Sequence, residues 1–244
     1  MKVVAVIPAY NEERSVEEVV RKTRKHVDEI IVVDDGSTDR TSEIARKEGA
    51  IVIRHKVNLG LGCALRSGIR EALKRKADVI VTIDADGQHD PNDIPKLLEK
   101  IREGYDFVIG RRNLRVYPLI KKIGNFILNF LTNLISGTTL SDTESGFRAF
   151  NKKAAMLFLS QTRESGYAIA SEMVIIAGHR NLKCANVNVS SPIYVKGVTV
   201  RDGFRIFFHL IRRRKRNLLD YLRDFKIVVK LWLRGLMKEK LRFL

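Results

Sequence analysis

Cysteine is scarce in this 244-residue chain: Cys63 and Cys184 are the only two, far apart in sequence. That excludes a disulfide framework and a cysteine-spaced zinc cluster, and it suits a reducing compartment. No run of about 18 uncharged apolar residues occurs, so no membrane-spanning helix is expected. A cleavable leader is not expected either, because Lys2-Val3-Val4-Ala5-Val6-Ile7 runs straight into an apolar strand pattern. The phosphate-gripping Gly-x-Gly-x-x-Gly is missing after that strand, which sets a dinucleotide site aside. Internal repeats and low-complexity linkers are absent. Acidic residues are in deficit, 28 Asp/Glu against 45 Lys/Arg, for a formal net charge of +17.

What remains is an ordinary globular composition, 45% hydrophobic, at a length that one domain with a short appendage fills. Its first half alternates short β-branched runs with helical segments. Strands are expected at Val3–Ile7, Ile30–Val33, Ile51–Ile53, Val79–Ile83 and Phe107–Ile109, with helices at Glu13–Lys25, Thr41–Lys47, Leu61–Lys74 and Ile94–Arg102. Such alternation predicts βαβ units, a mostly parallel α/β sheet, and ligand loops gathered on one edge. The second half is less regular. Helices are expected at Leu119–Ile135 and Ala168–Gly178, and strands at Phe147–Phe150 and Ala185–Val189.

Three polar loops follow the strands. Asp84 and Asp86 flank Ala85 at the end of an apolar run. In extended backbone residues i and i+2 point the same way, so both carboxylates can face one ion. Oxygen ligands suit Mg²⁺ or Mn²⁺, and Gln88 offers another oxygen. An isolated Asp-x-Asp is more often a plain turn; its place after a buried strand, beside two further polar loops, favours the metal. Pro8-Ala9-Tyr10-Asn11-Glu12 offers a ring and polar groups to a base and ribose. Asp34 and Asp35 are acceptors for hydroxyls or a base N–H, while Asp39 caps the helix from Thr41. Asn58-Leu59-Gly60-Leu61-Gly62 opens a helix carrying Arg66, where glycines and a helix N-terminus suit an anion.

Together these elements, with Gly110-Arg111-Arg112 and Ser145-Gly146-Phe147-Arg148, resemble glycosyltransferase family 2. Within it they resemble the polyprenyl-phosphate sugar synthases, of which dolichyl-phosphate mannose synthase is the best-known type. The resemblance implies a GT-A fold over residues 1–202, with a Rossmann-like nucleotide half (1–110) and an acceptor half (111–202). It implies a nucleotide-diphosphate sugar bound by Pro8, Tyr10, Glu12 and Asp35, to which we add Asp34, Asn58, Arg66, Asp84 and Ala85. Asp84, Asp86 and Gln88 form the implied metal set, and the sugar is transferred with inversion. Gly87 stands where the mannose synthases carry Leu, and the segment 194–201 is shorter than their loop. Both departures favour UDP-glucose or UDP-N-acetylglucosamine over GDP-mannose.

A lipid-phosphate acceptor is already anionic, its second pKa near about 6, so it needs cations more than a base. Arg111, Lys121, Lys122 and Arg148, together with Asp86, make up the expected catalytic set, and Arg112 is a further cation. The Gln-x-x-Arg-Trp of processive polysaccharide synthases is missing. A family 2 enzyme acting on a glycan hydroxyl is the alternative.

From Gly203 to Leu244 there are 13 Lys/Arg against 3 Asp/Glu, a net +10. Leu218, Leu222, Phe225, Val229, Trp232 and Leu236 share one helical face, with Arg216, Arg223, Lys226, Lys230 and Arg234 opposite. That pattern predicts basic amphipathic helices at an anionic membrane surface, each charge near it contributing roughly 1 kcal/mol. A peripheral protein on the cytoplasmic face is therefore expected, with packing on the domain or homo-oligomerisation as alternatives. Nucleic acid is not expected as a partner, since ordered carboxylate loops accompany the charge. The stretch Leu119–Ile135 is also amphipathic, with Leu119, Ile123, Phe126, Ile127, Phe130 and Leu134 on one side and Lys121, Asn125, Asn129 and Thr132 opposite. It is expected either to dip into lipid or to pack on the domain.

Overall fold

The computed structural model describes residues 1–113 and 119–191. The segment 194–201 and the basic tail 203–244 lie outside the described residues, as does the side chain of Lys121. Strand β1 (Val3–Ala9) is buried along its whole length, as a parallel strand covered on both faces must be. Val3, Ala5 and Ile7 enter one apolar layer, while Val4 and Val6 enter the other. The chain continues through α1 (Val16–Thr23), β2 (Glu29–Asp34), α2 (Thr41–Lys47), β3 (Ile51–Arg54), α3 (Leu61–Lys74) and β4 (Val79–Thr82). A single 3-10 turn at Pro91–Asp93 leads into α4 (Ile94–Arg102), and β5 (Phe107–Arg111) follows. Then come α5 (Leu119–Ser136), β6 (Arg148–Asn151), α6 (Lys152–Gln161), α7 (Ile169–His179) and β7 (Cys184–Asn188).

The seven strands form one sheet in the order β3-β2-β1-β4-β6-β5-β7, and only β6 runs against its neighbours. The α/β architecture expected from the alternating pattern is what the chain adopts. The order reverses between β1 and β4, so the crevice beyond their carboxyl ends is where ligands bind in such sheets.

Two elements depart from the sequence expectation. Helix α1 begins at Val16, not Glu13, because residues 12–15 form a turn closed by Ser15 and Val16 N–H groups on the Glu12 carbonyl. Helix α6 had no clear period: Ala155-Met156-Leu157-Phe158-Leu159 is apolar throughout. Asn151 caps it by accepting from the Ala154 N–H at 3.0 Å, and Ala154, Ala155 and Phe158 are the buried side.

Helix α5 is turned in an informative way. Leu128 and Leu131 pack with Ile135, Ala168 and Ile175, while Thr132 and Asn133 are buried. Asn133 grips the turn beyond the helix through Leu140, and Asn129 accepts from the Thr143 N–H at 3.0 Å. The polar stripe therefore faces the protein, and Ile123, Phe126 and Ile127 are exposed. Among the described residues no helix is long and apolar enough to cross a membrane.

Candidate active site at the carboxyl edge of the sheet

The loops after β1 and β2 are laced together. Asn11, at a φ of 57°, donates its N–H to Ser37 Oγ and accepts from the Thr38 N–H. The Glu12 N–H reaches Thr41 Oγ1 at 2.8 Å, and the Glu13 N–H reaches Asp39 at 3.1 Å. Asp39 also accepts from the Thr41 N–H, the capping role expected of it. Pro8 is buried in the strand end, whereas Tyr10 is exposed at the mouth.

Within this frame the two adjacent aspartates hold loops. Asp34 is fully buried, accepting from the Ser37 N–H and the Ser42 hydroxyl. Asp35 pairs with His55 Nδ1 at 2.6 Å and accepts from the N–H groups of Leu59 (3.0 Å) and Gly60 (2.7 Å). Both are thus buried and engaged with the loops around them. Asn58 is exposed on the loop that Asp35 grips.

The expected anion site at the start of α3 has another occupant. The Gly62 N–H donates to the Ser165 carbonyl at 2.6 Å, and Arg66 donates to the Glu164 carbonyl. A Cβ on Gly62 would stand 2.9 Å from the carbonyl carbons of Glu164 and Ser165. The glycines thus admit a second stretch of protein backbone, and Arg66 is engaged with that stretch.

The carboxylate loop is built differently. Asp84 and Asp86 are half-buried, and Ala85 between them is buried. Gln88 is buried and donates both its backbone N–H (3.0 Å) and its side-chain amide (2.6 Å) to Asp86, orienting that carboxylate. Asp84 rests against Gly146, where a Cβ would lie 2.6 Å from its Cγ and Oδ1. Burial first, then repulsion from Asp86, pushes Asp84 up to about 7, against the opposing pull of Arg112 and Arg148. Glu12 is raised too, by burial and by repulsion from Asp86 and Asp39. This is an acidic cluster of hard oxygen donors, held in place by an orienting amide and a glycine cradle. Its chemistry fits a divalent cation. Asp84 and Asp86 would be the residues to hold it; among the described residues no three His, Cys, Asp or Glu side chains converge on one point.

Cations surround this cluster unevenly. Arg111 is exposed at the end of β5, and Lys122 is half-buried on α5. Arg112 makes a two-pronged contact with buried Asp142, both prongs at 2.9 Å. Arg148, expected to meet a phosphate, turns inward instead. It is buried and donates to the carbonyls of Ser145 (2.6 Å), Ala170 (2.9 Å) and Thr143 (2.7 Å), with burial lowering it to about 10. It remains charged and fixes the 142–147 loop that carries Gly146.

His89, the residue after Gln88, also reaches this cluster. It is buried, its Nε2 stands 3.8 Å from Asp84 Oδ2, and its ring packs on Phe147. Burial and Arg112 lower it to about 3, so it is neutral beside the carboxylates. Its Nδ1 has no hydrogen-bond partner among the described residues. Gly146 and Asp142 are unassigned in the sequence reading; their signal is the dense run Ser141-Asp142-Thr143-Glu144-Ser145-Gly146.

The carboxylate loop thus sits beyond the β1/β4 reversal of a mixed α/β sheet. Residues 4–157 match the glycosyltransferase family 2 domain, and the chain belongs to that family. It is 36% identical over 244 residues to the UDP-N-acetylglucosamine–dolichyl-phosphate N-acetylglucosaminyltransferase of Methanococcus voltae, covering 88% of this chain and 97% of that one. It is 32% identical over 186 residues to the undecaprenyl-phosphate mannosyltransferase of Micrococcus luteus, covering 71% and 76%. Its fold is that of Mycobacterium tuberculosis glucosyl-3-phosphoglycerate synthase, crystallised with Mn²⁺, UDP and phosphoglyceric acid. The TM-score is 0.71 at 23% identity, with coverage of 88% and 79%.

Proposed function

We propose that this chain transfers a sugar, with inversion, from a UDP-sugar to a polyprenyl phosphate at a membrane surface. The observation that carries the reading is the oriented Asp84/Asp86 pair at the sheet reversal, cradled by Gly146 and Gln88. The relatives that act on dolichyl and undecaprenyl phosphate support the acceptor, and the Methanococcus enzyme favours UDP-N-acetylglucosamine as donor.

In the proposed reaction Pro8, Tyr10 and Glu12 line the base and ribose, backed by the loops that Asp34 and Asp35 hold. Asp84 and Asp86 would hold Mg²⁺ or Mn²⁺, which would neutralise the departing diphosphate. An acceptor phosphate oxygen attacks the anomeric carbon from the face opposite the diphosphate. The carbon–oxygen bond to the diphosphate breaks, and its electron pair leaves with the nucleoside diphosphate. No general base is required, since the acceptor is already ionised. Arg111, Lys121 and Lys122 are assigned to hold that phosphate in line, where positioning does most of the work. The tail 203–244 is assigned to the membrane.

The test is to offer UDP-N-acetylglucosamine, UDP-glucose and GDP-mannose separately, with polyprenyl phosphate and Mg²⁺ or Mn²⁺. The lipid product is then identified by mass spectrometry. An N-acetylhexosaminyl-phosphate lipid is the expected outcome. Transfer to a free sugar hydroxyl with none to polyprenyl phosphate would overturn the acceptor assignment.

A further inference from the structure

The turn at residues 163–166 belongs to the half of the chain expected to take the acceptor, yet it leans on the nucleotide half. Glu172, on α7, is fully buried. One of its oxygens accepts the Arg163 N–H at 2.8 Å, and the other accepts the Glu164 N–H at 3.0 Å. A buried carboxylate gripping two successive backbone donors fixes the turn in one orientation. The carbonyls of that turn then point at α3, where Ser165 meets the Gly62 N–H and Glu164 meets Arg66. From the other side Asp35 holds the N–H groups of Leu59 and Gly60. The loop 58–62 is thus clasped between Asp35 and the turn.

We propose that Glu172, acting through this turn, is a positioning residue for the donor: it sets the shape of the loop 58–62 without touching the nucleotide. Arg66 closes the same clasp from the α3 side. The inference rests on the assignment of that loop to the nucleotide, and it gives the acceptor half a direct mechanical hold on donor affinity. It also accounts for Gly60 and Gly62 without any anion at the helix start.

The test uses the full chain with UDP and Mn²⁺ as the probe, comparing wild type, Glu172→Gln, Arg66→Met and the double variant. Calorimetry is expected to show UDP binding about tenfold weaker in each single variant, as loss of a charge-assisted contact implies. The double variant is expected to bind no worse than about twofold below the weaker single, because both act through one turn. At saturating donor kcat is expected to hold while KM rises. Hydrogen exchange at the Leu59–Gly62 amides should quicken in both singles. Unchanged exchange there in folded variants sinks the clasp, and Arg66→Met carries this measurement if Glu172→Gln does not fold. Quickened exchange with unchanged UDP affinity sinks the link to the donor. Wild type that fails to bind UDP overturns the proposed function, and the donor role of Glu172 with it.

Discussion

Gly146→Ala isolates the carboxylate geometry without removing a carboxylate. Gly146 does not occupy the left-handed region, so alanine meets no backbone penalty there. The new methyl would stand 2.6 Å from Asp84 Cγ and Oδ1, where an ordinary contact begins at 3.4 Å. Asp84 must withdraw by roughly 1 Å, and a misplacement of about that size at a reacting centre costs on the order of 100-fold in rate. That corresponds to about 2.7 kcal/mol of barrier. Thr82 Oγ1 donates to the Gly146 carbonyl at 2.8 Å, a contact the substitution leaves in place. The assay is kcat with UDP-sugar and Mn²⁺, paired with thermal melting of the metal-free protein. The expected outcome is a near-normal melt with kcat down by about two orders of magnitude. A folded variant that keeps kcat within about threefold would show that Asp84 need not stand where it does, and the metal assignment would fail.

The same carboxylate makes stability depend on pH. Asp84 titrates from an ordinary 3.8 to about 7 in the folded, metal-free chain, so the folded state holds a proton that the unfolded chain releases. Its penalty is absent below pH 4, grows as pH rises through that window, and is complete above about pH 7. Asp84→Asn is therefore expected to melt above wild type at pH 8 in chelator and level with it at pH 4; equal melts at both values would refute this. Arg148→Met strips the donors from two buried carbonyls and one partly buried one, at about 1 kcal/mol each. Urea titration should show a loss of roughly 3 kcal/mol, and an undiminished midpoint would return Arg148 to the substrate side. Deleting the residues after Arg212 should abolish cosedimentation with anionic liposomes while leaving UDP affinity intact; equal loss of both would mark the tail as structural.

The parallel sheet was legible because its strands are apolar on both faces and short, and because helices of matching period separate them. Boundaries failed where a side chain or backbone contact from elsewhere set them. The start of α1 is an example, displaced to Val16 because Glu12 and Glu13 are tied by their N–H groups to Thr41 and Asp39 on another loop. Helix α6 was illegible because its apolar run has no polar face to mark a period. Helix α5 was legible as a helix but not in its orientation. Asn129 sits on the polar stripe in sequence, yet it is half-buried and links to Thr143, beside buried Asn133, which links to Leu140.

The site raises a harder problem, since acidic residues after a strand have two physical uses. A carboxylate has four lone-pair directions, and it can give them to backbone N–H groups or keep them for a ligand. Asp34 and Asp35 do the first: N–H groups at Ser37, Leu59 and Gly60 converge on them. Asp84 accepts no hydrogen bond among the described residues, and Gly146 packs beside it with no side chain. Sequence spacing is the same Asp-at-strand-end in both loops, so it cannot separate them. What separates them is whether the following loop turns its N–H groups back toward the carboxylate. That depends on distant partners: Leu59 and Gly60, 24 and 25 residues on, for Asp35, and Gly146 for Asp84. Arg66 and Arg148 follow the same rule with the sign reversed, since carbonyls of distant turns take up the donors that a phosphate was expected to meet. An ionised group near a predicted site is therefore a ligand candidate only while its hydrogen-bonding capacity is left over after folding, and Asp84 is the group here for which most is left.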